Sequence, residues 1–191
     1  MKSLIIPAYL ANEELKLMTD RCVNSMTEPI EEFIVQIDEH GEGYCKTVNK
    51  ALRAATGDIL ILGNNDLVFP ETWLSELLKP LDQGFDLATC WTSDQDYTIE
   101  PKIREGDKFG SLFAMKREVY ETIGGFDEQF KGYFADTDYR RRLLDAGFRI
   151  GMNYNLVIEH LGKATYQVTD PHDQEFLRSR ALYEIKHGVI E

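Results

Sequence analysis

The sequence predicts an α/β fold in a single domain, with a mostly parallel, mixed central sheet flanked by helices. Three observations carry this. Short β-rich runs alternate with amphipathic helical stretches through the first half of the chain, the pattern of βαβ units. The runs at 3–7 (SLIIP) and 59–63 (ILILG) are apolar at successive positions, as strands buried on both faces must be. With 191 residues, 43% of them hydrophobic, the chain can bury one sizeable core.

Taken in order, Ser3 to Pro7 is a first strand. Asn12 is placed to cap a helix whose inner stripe is Leu15, Met18, Cys22 and Met26. Phe33 to Asp38 is a second strand, followed by the turn HGEG. A helix over about 45–56 buries Val48, Leu52 and Ala55 and stops at Gly57. The strand that follows ends at Asn64, Asn65 and Asp66, and Pro70 starts a helix with Trp73, Leu74, Leu77, Leu78 and Leu81 inward. Phe85 to Thr92 is the next strand, and the polar stretch Ser93 to Lys108 reads as a long loop. FGSLFAMK (109–116) is a strand, and the helix after it ends at Gly124 and Gly125. A helix from about Asp136 to Ala146 stops at Gly147. FRIGMNYN and LVIEHL follow as two strand-like runs, and the last helix spans about 173–187. No repeat, low-complexity segment or linker interrupts the pattern.

Lys plus Arg number 21 against 33 Asp plus Glu, a net charge of −12. Such a field repels nucleic acid and anionic lipid. The run Arg140, Arg141, Arg142 with Arg149 reads as a solvated helix face. Cys22, Cys45 and Cys90 are odd in number and include no CxxC, so packed, reduced thiols in a cytoplasmic protein are expected. The N-terminal apolar run is too short for a signal peptide, and no stretch reaches the length of a membrane-spanning helix.

In a parallel α/β sheet ligands bind beyond the carboxyl ends of the strands. Pro7 to Tyr9, Asp38 with Glu39, and Asn64 to Asp66 all fall there. Asn and Asp also favour turns in their own right. A single strand end carrying an acid is therefore best read as a turn, whereas acids at two neighbouring ends point to a site.

These segments, in this order and spacing, resemble the family 2 glycosyltransferases of the GT-A (Rossmann-like) fold over nearly the whole chain. IIPAY is similar to that family's opening strand, and VQIDEHG to its second strand. VNKALRAATGDILILGNND is similar to its helix, strand and DxD-type metal motif. GSLFAMKREVYETIGGFDEQF resembles the segment framing the acceptor, FADTDYRRRLLDAGFRI the acidic motif, and EHLGKAT the late His-x-Gly element. The chain departs from the pattern at Asn64 and Ala135, where the family carries acids, and is short between Asp38 and Asn49. It lacks the Q-x-x-R-W element and membrane helices of the processive polymerases.

The resemblance implies a nucleotide-sugar-binding half over about 1–92 and an acceptor-binding half over about 93–191. It implies inverting transfer from a UDP- or GDP-sugar to a hydroxyl acceptor. Pro7, Ala8, Tyr9, Asp38 and Asn65 would hold the nucleotide. Asp66 and His160 would hold a divalent cation, Mn²⁺ or Mg²⁺, which stabilises the departing diphosphate as a Lewis acid. His172 is the competing histidine. Asp136 would be the general base, and Asp138, Trp91 and Gly110 would line the acceptor. The plainer readings stand beside these: a turn role for Asp38, an N-cap for Asp136, and a low-energy ion pair of Asp138 with Arg141 or Arg142. Two rival functions follow from the same residues. One is a non-catalytic nucleotide-sugar or carbohydrate-binding module. The other is a sugar nucleotidyltransferase, which needs a Gly-rich basic loop where PAYLANEEL has none.

Overall fold

The computed structural model describes residues 1–94, 100, 102–106, 108–162 and 172–188. Its elements are β1 (Lys2–Ala8), α1 (Glu13–Asn24), β2 (Glu32–Ile37), α2 (Tyr44–Ala54), β3 (Ile59–Gly63), β4 (Leu67–Val68) and α3 (Trp73–Asp82). The second half adds β5 (Leu87–Thr92), β6 (Ile103–Gly106), β7 (Leu112–Lys116), α4 (Arg117–Ile123), α5 (Ala135–Asp145), β8 (Ile150–His160) and a last helix, α6 (His172–His187). The strands form one mixed sheet in the order β2-β1-β3-β7-β5-β8-β4, with β6 on β8.

Direction in the sheet decides where a site can form. β2 and β3 both run parallel to β1. β7 runs antiparallel to β3 and to β5, and β8 runs parallel to β5. The strands β2, β1, β3, β5 and β8 therefore all end at one edge, and β7 begins there. That edge gathers Ala8, Ile37, Gly63, Thr92, Leu112 and His160.

The two sheet faces carry separate cores. On one, Val48 and Leu52 of α2, Val119 of α4, and Tyr139 and Leu143 of α5 pack on Ile5, Leu62 and Phe113. On the other, Cys22 of α1 and Trp73 and Leu77 of α3 pack on Leu4, Ile6 and Ile61. Asn12 caps α1 as its sequence position predicts, its Oδ1 accepting the Leu15 N–H at 2.9 Å. Pro80 lies inside α3 and cannot donate to the carbonyl one turn back. That carbonyl, on Glu76, instead accepts the Asn153 side-chain amide at 2.9 Å. This places a buried Asn on β8 and fastens α3 to the sheet.

Several boundaries differ from the sequence reading. The two runs after Gly147 are one strand, β8. Pairing with β5 jumps from Cys90↔Asn153 to Trp91↔Val157, so Tyr154 to Leu156 form a bulge within one continuous strand. The stretch read as a loop, 93–108, contains β6, while its residues 95–99, 101 and 107 lie outside the described residues. All three cysteines are free and buried. Burial pushes the Cys22 thiol pKa up to about 12. Among the described residues no helix is long and apolar enough to cross a membrane.

Candidate active site

The turn after β3 is fixed from three sides. The Asn64 N–H donates to the Ser111 carbonyl at 2.8 Å, and the Leu161 N–H to the Asp66 carbonyl at 2.9 Å. The Asn65 amide donates to Thr19 Oγ1 of α1 at 2.8 Å. Asn65, expected on the nucleotide, thus spends its amide on anchoring the turn. Leu67 pairs with His160 across β4 and β8, and this brings Asp66 against the end of β8.

Asp66 Oδ2 lies 3.2 Å from His160 Nε2, and both side chains are largely buried. Asp66 Oδ1 is buried with no hydrogen-bond partner. Ser111 Oγ is 3.4 Å from the same His160 nitrogen. On the opposite side of the ring, Nδ1 is 3.1 Å from Asp94 Oδ2, an ion-pair distance without hydrogen-bond alignment at Nδ1. The contact with Asp66 raises the His160 pKa against the opposing effect of burial, and Asp94 adds to the rise. Burial works to raise the Asp94 pKa, but Thr92 and the neighbouring His160 imidazole outweigh it and the net shift is downward.

These donors fit a hard divalent cation in part. An orphaned carboxylate oxygen is an expensive thing to bury, and a cation would satisfy it. Asp66 with His160 makes two protein donors. Among the described residues no three His, Cys, Asp or Glu side chains group as a complete metal cage, since Asp94 stands on the far side of the imidazole. Mg²⁺ and Mn²⁺ sites that handle phosphates typically take few protein ligands and complete their shell with substrate oxygens and water. The residues after Gly162 in the late EHLGKAT element and the His172 side chain lie outside what is described.

On the β1–β2 side, Pro7 and Ala8 are buried and Tyr9 is half-buried just beyond the strand. The Asp38 carboxylate accepts backbone N–H groups from His40 (3.3 Å), Glu42 (2.9 Å) and Gly43 (2.9 Å). It closes the turn into α2, so the turn reading describes most of its hydrogen bonding. Two of those bonds fall on Oδ1 and one on Oδ2, which leaves Oδ2 one lone pair for a ligand.

Asp136 stands in the first turn of α5, after Ala135, and is therefore not the N-cap. The flanking residue is Phe134, at φ 62° and ψ 0°, the one non-glycine residue at positive φ among those described. For a bulky side chain this conformation is strained. Asp136 Oδ1 accepts the Thr137 N–H at 2.8 Å. Asp136 is exposed by its own surface area, yet the crowded protein around it desolvates the carboxyl and raises its pKa.

The last helix grips both sides of Asp136. Two residues before it, the Phe134 ring packs on Phe176 and Tyr183 of α6, with centroids 5.4 and 5.7 Å apart. Two residues after it, Asp138 has no exposed surface and meets Arg142 Nε at 2.9 Å, Lys186 Nζ at 2.7 Å and His187 Nε2 at 2.7 Å. The acceptor-lining role expected of Asp138 is corrected here: a carboxylate with no exposed surface, held by Arg142, Lys186 and the His187 imidazole, is structural. Burial pushes its pKa up, but the bonds from Lys186, His187 and Arg142 prevail and hold it low. Lys186 also reaches Asp127 at 2.6 Å. Asn49 of α2 both accepts from the Phe126 N–H and donates to its carbonyl, each at 2.8 Å. A Cβ on Gly125 would stand 2.3 Å from Asn49 Oδ1, so a glycine is required there.

Trp91, at the end of β5, packs on Tyr154 with centroids 5.4 Å apart, and Arg104 lies 4.4 Å over the Tyr154 ring. Gly110 is exposed, with open space where a Cβ would be. Sequence reasoning missed Asp94 and Ser111. For Asp94 the signal was present, since CWTSD repeats the strand-then-acid pattern that marks Asp38 and Asp66.

Residues 32–140 match the sequence model described as Glycosyl transferase family 2. No curated protein matches the chain. Among solved structures, S. aureus TarS 1-349 in complex with UDP-GlcNAc is 13% identical with a TM-score of 0.68, over 97% of this chain and 66% of that one. The mannosyltransferase PcManGT from Pyrobaculum calidifontis, in complex with GDP-Man and Mn²⁺, is 17% identical at a TM-score of 0.66. That match covers 100% of this chain and 65% of that one. Glucosyl-3-phosphoglycerate synthase from Mycobacterium tuberculosis, with Mn²⁺, UDP and phosphoglyceric acid, is 16% identical at 0.68 over 100% and 80%. The chain spans 40% of a longer S. aureus TarS structure. At these identities the likeness is one of fold.

Proposed function

We propose, because the chain belongs to glycosyl transferase family 2, that it moves a sugar from a UDP- or GDP-sugar to an acceptor hydroxyl with inversion at the anomeric carbon. The observation that carries this reading is the pairing of Asp66 with His160 at the shared strand edge, where Asp66 Oδ1 is buried and unpartnered. Asp66 and His160 would hold Mn²⁺ or Mg²⁺. When bound, the cation supplies positive charge to the diphosphate leaving group. The solved relatives that hold a nucleotide together with Mn²⁺ support this assignment.

The remaining chemistry falls to the chain. Asp136 accepts the proton of the acceptor hydroxyl as that oxygen bonds to C1 of the sugar and the bond from C1 to the diphosphate breaks on the opposite face. A carboxyl whose pKa is raised is better matched to this task than an ordinary one. Pro7, Ala8 and Tyr9 line the nucleotide side, with Asp38 offering its one free acceptor position. Trp91 and Gly110 flank the acceptor side.

A binding module without catalysis is the second reading, favoured by Asn64 and Ala135 standing where the family has acids. Release of UDP or GDP from a panel of nucleotide sugars with Mn²⁺ separates the two. Turnover that disappears in Asp136→Asn while donor binding persists supports the enzyme. Tight binding with no release from any donor supports the module.

A further inference from the structure

Three of the four clustered arginines have carboxylate partners. Arg141 pairs with Asp145, Arg142 with Asp138 and Arg149 with Glu105, each at 2.9 Å. Arg140 is different. It has no hydrogen bond or ion pair with any described residue, and its Nε is buried without a partner. Arg104 and Arg117 also lack a carboxylate, but Arg104 lies over the Tyr154 ring and Arg117 donates to the Gly57 and Ala55 carbonyls, and Arg140 has neither kind of partner. A cationic N–H removed from water and left unbonded is costly, and the two Nη groups of the same guanidinium, which are not among the buried unpartnered atoms, remain open to an external acceptor.

Its place on the helix says where that acceptor comes from. Arg140 is four residues after Asp136 on α5, and residues four apart share a helix flank. The two are close enough that Arg140 works against the rise in the Asp136 pKa. The inward face of α5 is taken by Ala135, Asp138, Tyr139 and Leu143, which leaves Asp136 and Arg140 together on the border of that face. The donor's phosphates belong with Asp66 and His160, which stand on the turn after β3 and at the end of β8. A guanidinium binds phosphate or carboxylate oxygens in a fork. An overall charge of −12 repels anions, so an anionic acceptor would need a local cation at the point of reaction.

We infer that Arg140 binds an anionic group, phosphate or carboxylate, carried by the acceptor, and so selects charged acceptors over neutral ones. The inference rests on Asp136 marking the acceptor side. Its test is a binding measurement and does not depend on turnover.

The probes are two matched pairs, glycerol 3-phosphate with glycerol and glucuronate with glucose, titrated calorimetrically into the protein with UDP and Mn²⁺ present. UDP affinity is measured separately. The wild type should prefer the charged member of a pair by about tenfold or more, as a hydrogen bond to a charged group allows. The preference should shrink with added salt. Arg140→Gln should remove it, Arg140→Lys should keep part of it, and Asp136→Asn should leave it in place. Unchanged melting temperatures would show that the variants are folded.

Equal affinity of the wild type for charged and neutral members overturns the inference, as does an undiminished preference in Arg140→Gln. An Arg140→Gln effect on UDP affinity alone would reassign the residue to the donor's diphosphate and overturn it too. If no nucleotide sugar is ever turned over but the charge preference disappears with Arg140, the anion site stands and the enzymatic reading fails.

Discussion

Asp138 offers the sharpest test of how α6 supports α5. Replacing it by Asn removes a negative charge that has no exposed surface and faces Arg142, Lys186 and His187. Taking one member out of a buried ion pair typically costs about 3–5 kcal/mol. Here the cost is smaller, because the cations keep other partners. Arg142 still donates to the Ile123 and Gly125 carbonyls, Lys186 keeps Asp127, and Asn retains an oxygen. We expect about 2–3 kcal/mol at pH 7, the upper range for losing a hydrogen bond to a charged group. For Asp145→Asn, whose exposed pair with Arg141 is screened by water, we expect about 0.5 kcal/mol or less.

The pH dependence has a definite sign. The Asp138 pKa is lowered in the fold, so its contribution is fully present above the unfolded carboxyl value of about 4. It is lost as pH falls through the lowered folded value. The gap between wild type and Asp138→Asn should therefore narrow as the pH is taken below about 4. Urea unfolding of both proteins across that range measures it. A gap under about 0.5 kcal/mol at pH 7, the size of ordinary surface effects, would refute the reasoning. A gap that stays constant into acid would do so as well.

Other outcomes follow from the same geometry. Asp136→Asn should lower transfer by roughly 10²-fold or more while melting temperature holds or rises, since the fold disfavours the charged carboxyl; a wild-type rate would remove Asp136 from the base role. In the active protein the acid limb of the rate profile should lie above the ordinary carboxylate range, which a pH–kcat series checks. Asp66→Asn should abolish the gain in UDP or GDP affinity that Mn²⁺ provides, read by calorimetry with and without the ion. Asp38→Ala should destabilise folding by roughly 1–2 kcal/mol, as loss of a cap does, because three turn N–H groups lose their acceptor. Gly125→Ala should unfold at lower urea, because its Cβ would overlap Asn49 Oδ1.

The order of elements was legible because each is encoded over a few adjacent residues. β1 and β3 announce burial on both faces by unbroken apolar runs, and α1 by a capping Asn before an apolar stripe. What escaped was set by partners distant in sequence. β6 is only four residues long and exists because β8 pairs with it. FRIGMNYN and LVIEHL read as two strand-like runs, and only the register with β5 joins them into one strand with a bulge at Tyr154 to Leu156. Strand direction was partly hidden for the same reason, since β7 runs antiparallel between β3 and β5.

The candidate site divides along the same line. An acid at the end of a buried strand can be found from its immediate neighbours, and Asp38 and Asp66 were found that way. Whether such an acid is used or free depends on what the fold brings to it. Asp38 meets three N–H groups from the five residues after it and becomes mainly a turn residue. Asp66 meets His160 from β8 and keeps one oxygen unpartnered. Asp136 and Asp138 show the same division two residues apart in one helix. Asp138 is claimed by the end of α6, while Asp136 faces outward and stays available for chemistry. The contacts of α6 with Phe134 and with Asp138 are therefore what separates the two acids, holding one inside the protein as a fastening and leaving its neighbour at the surface, where the proposed base would have to stand.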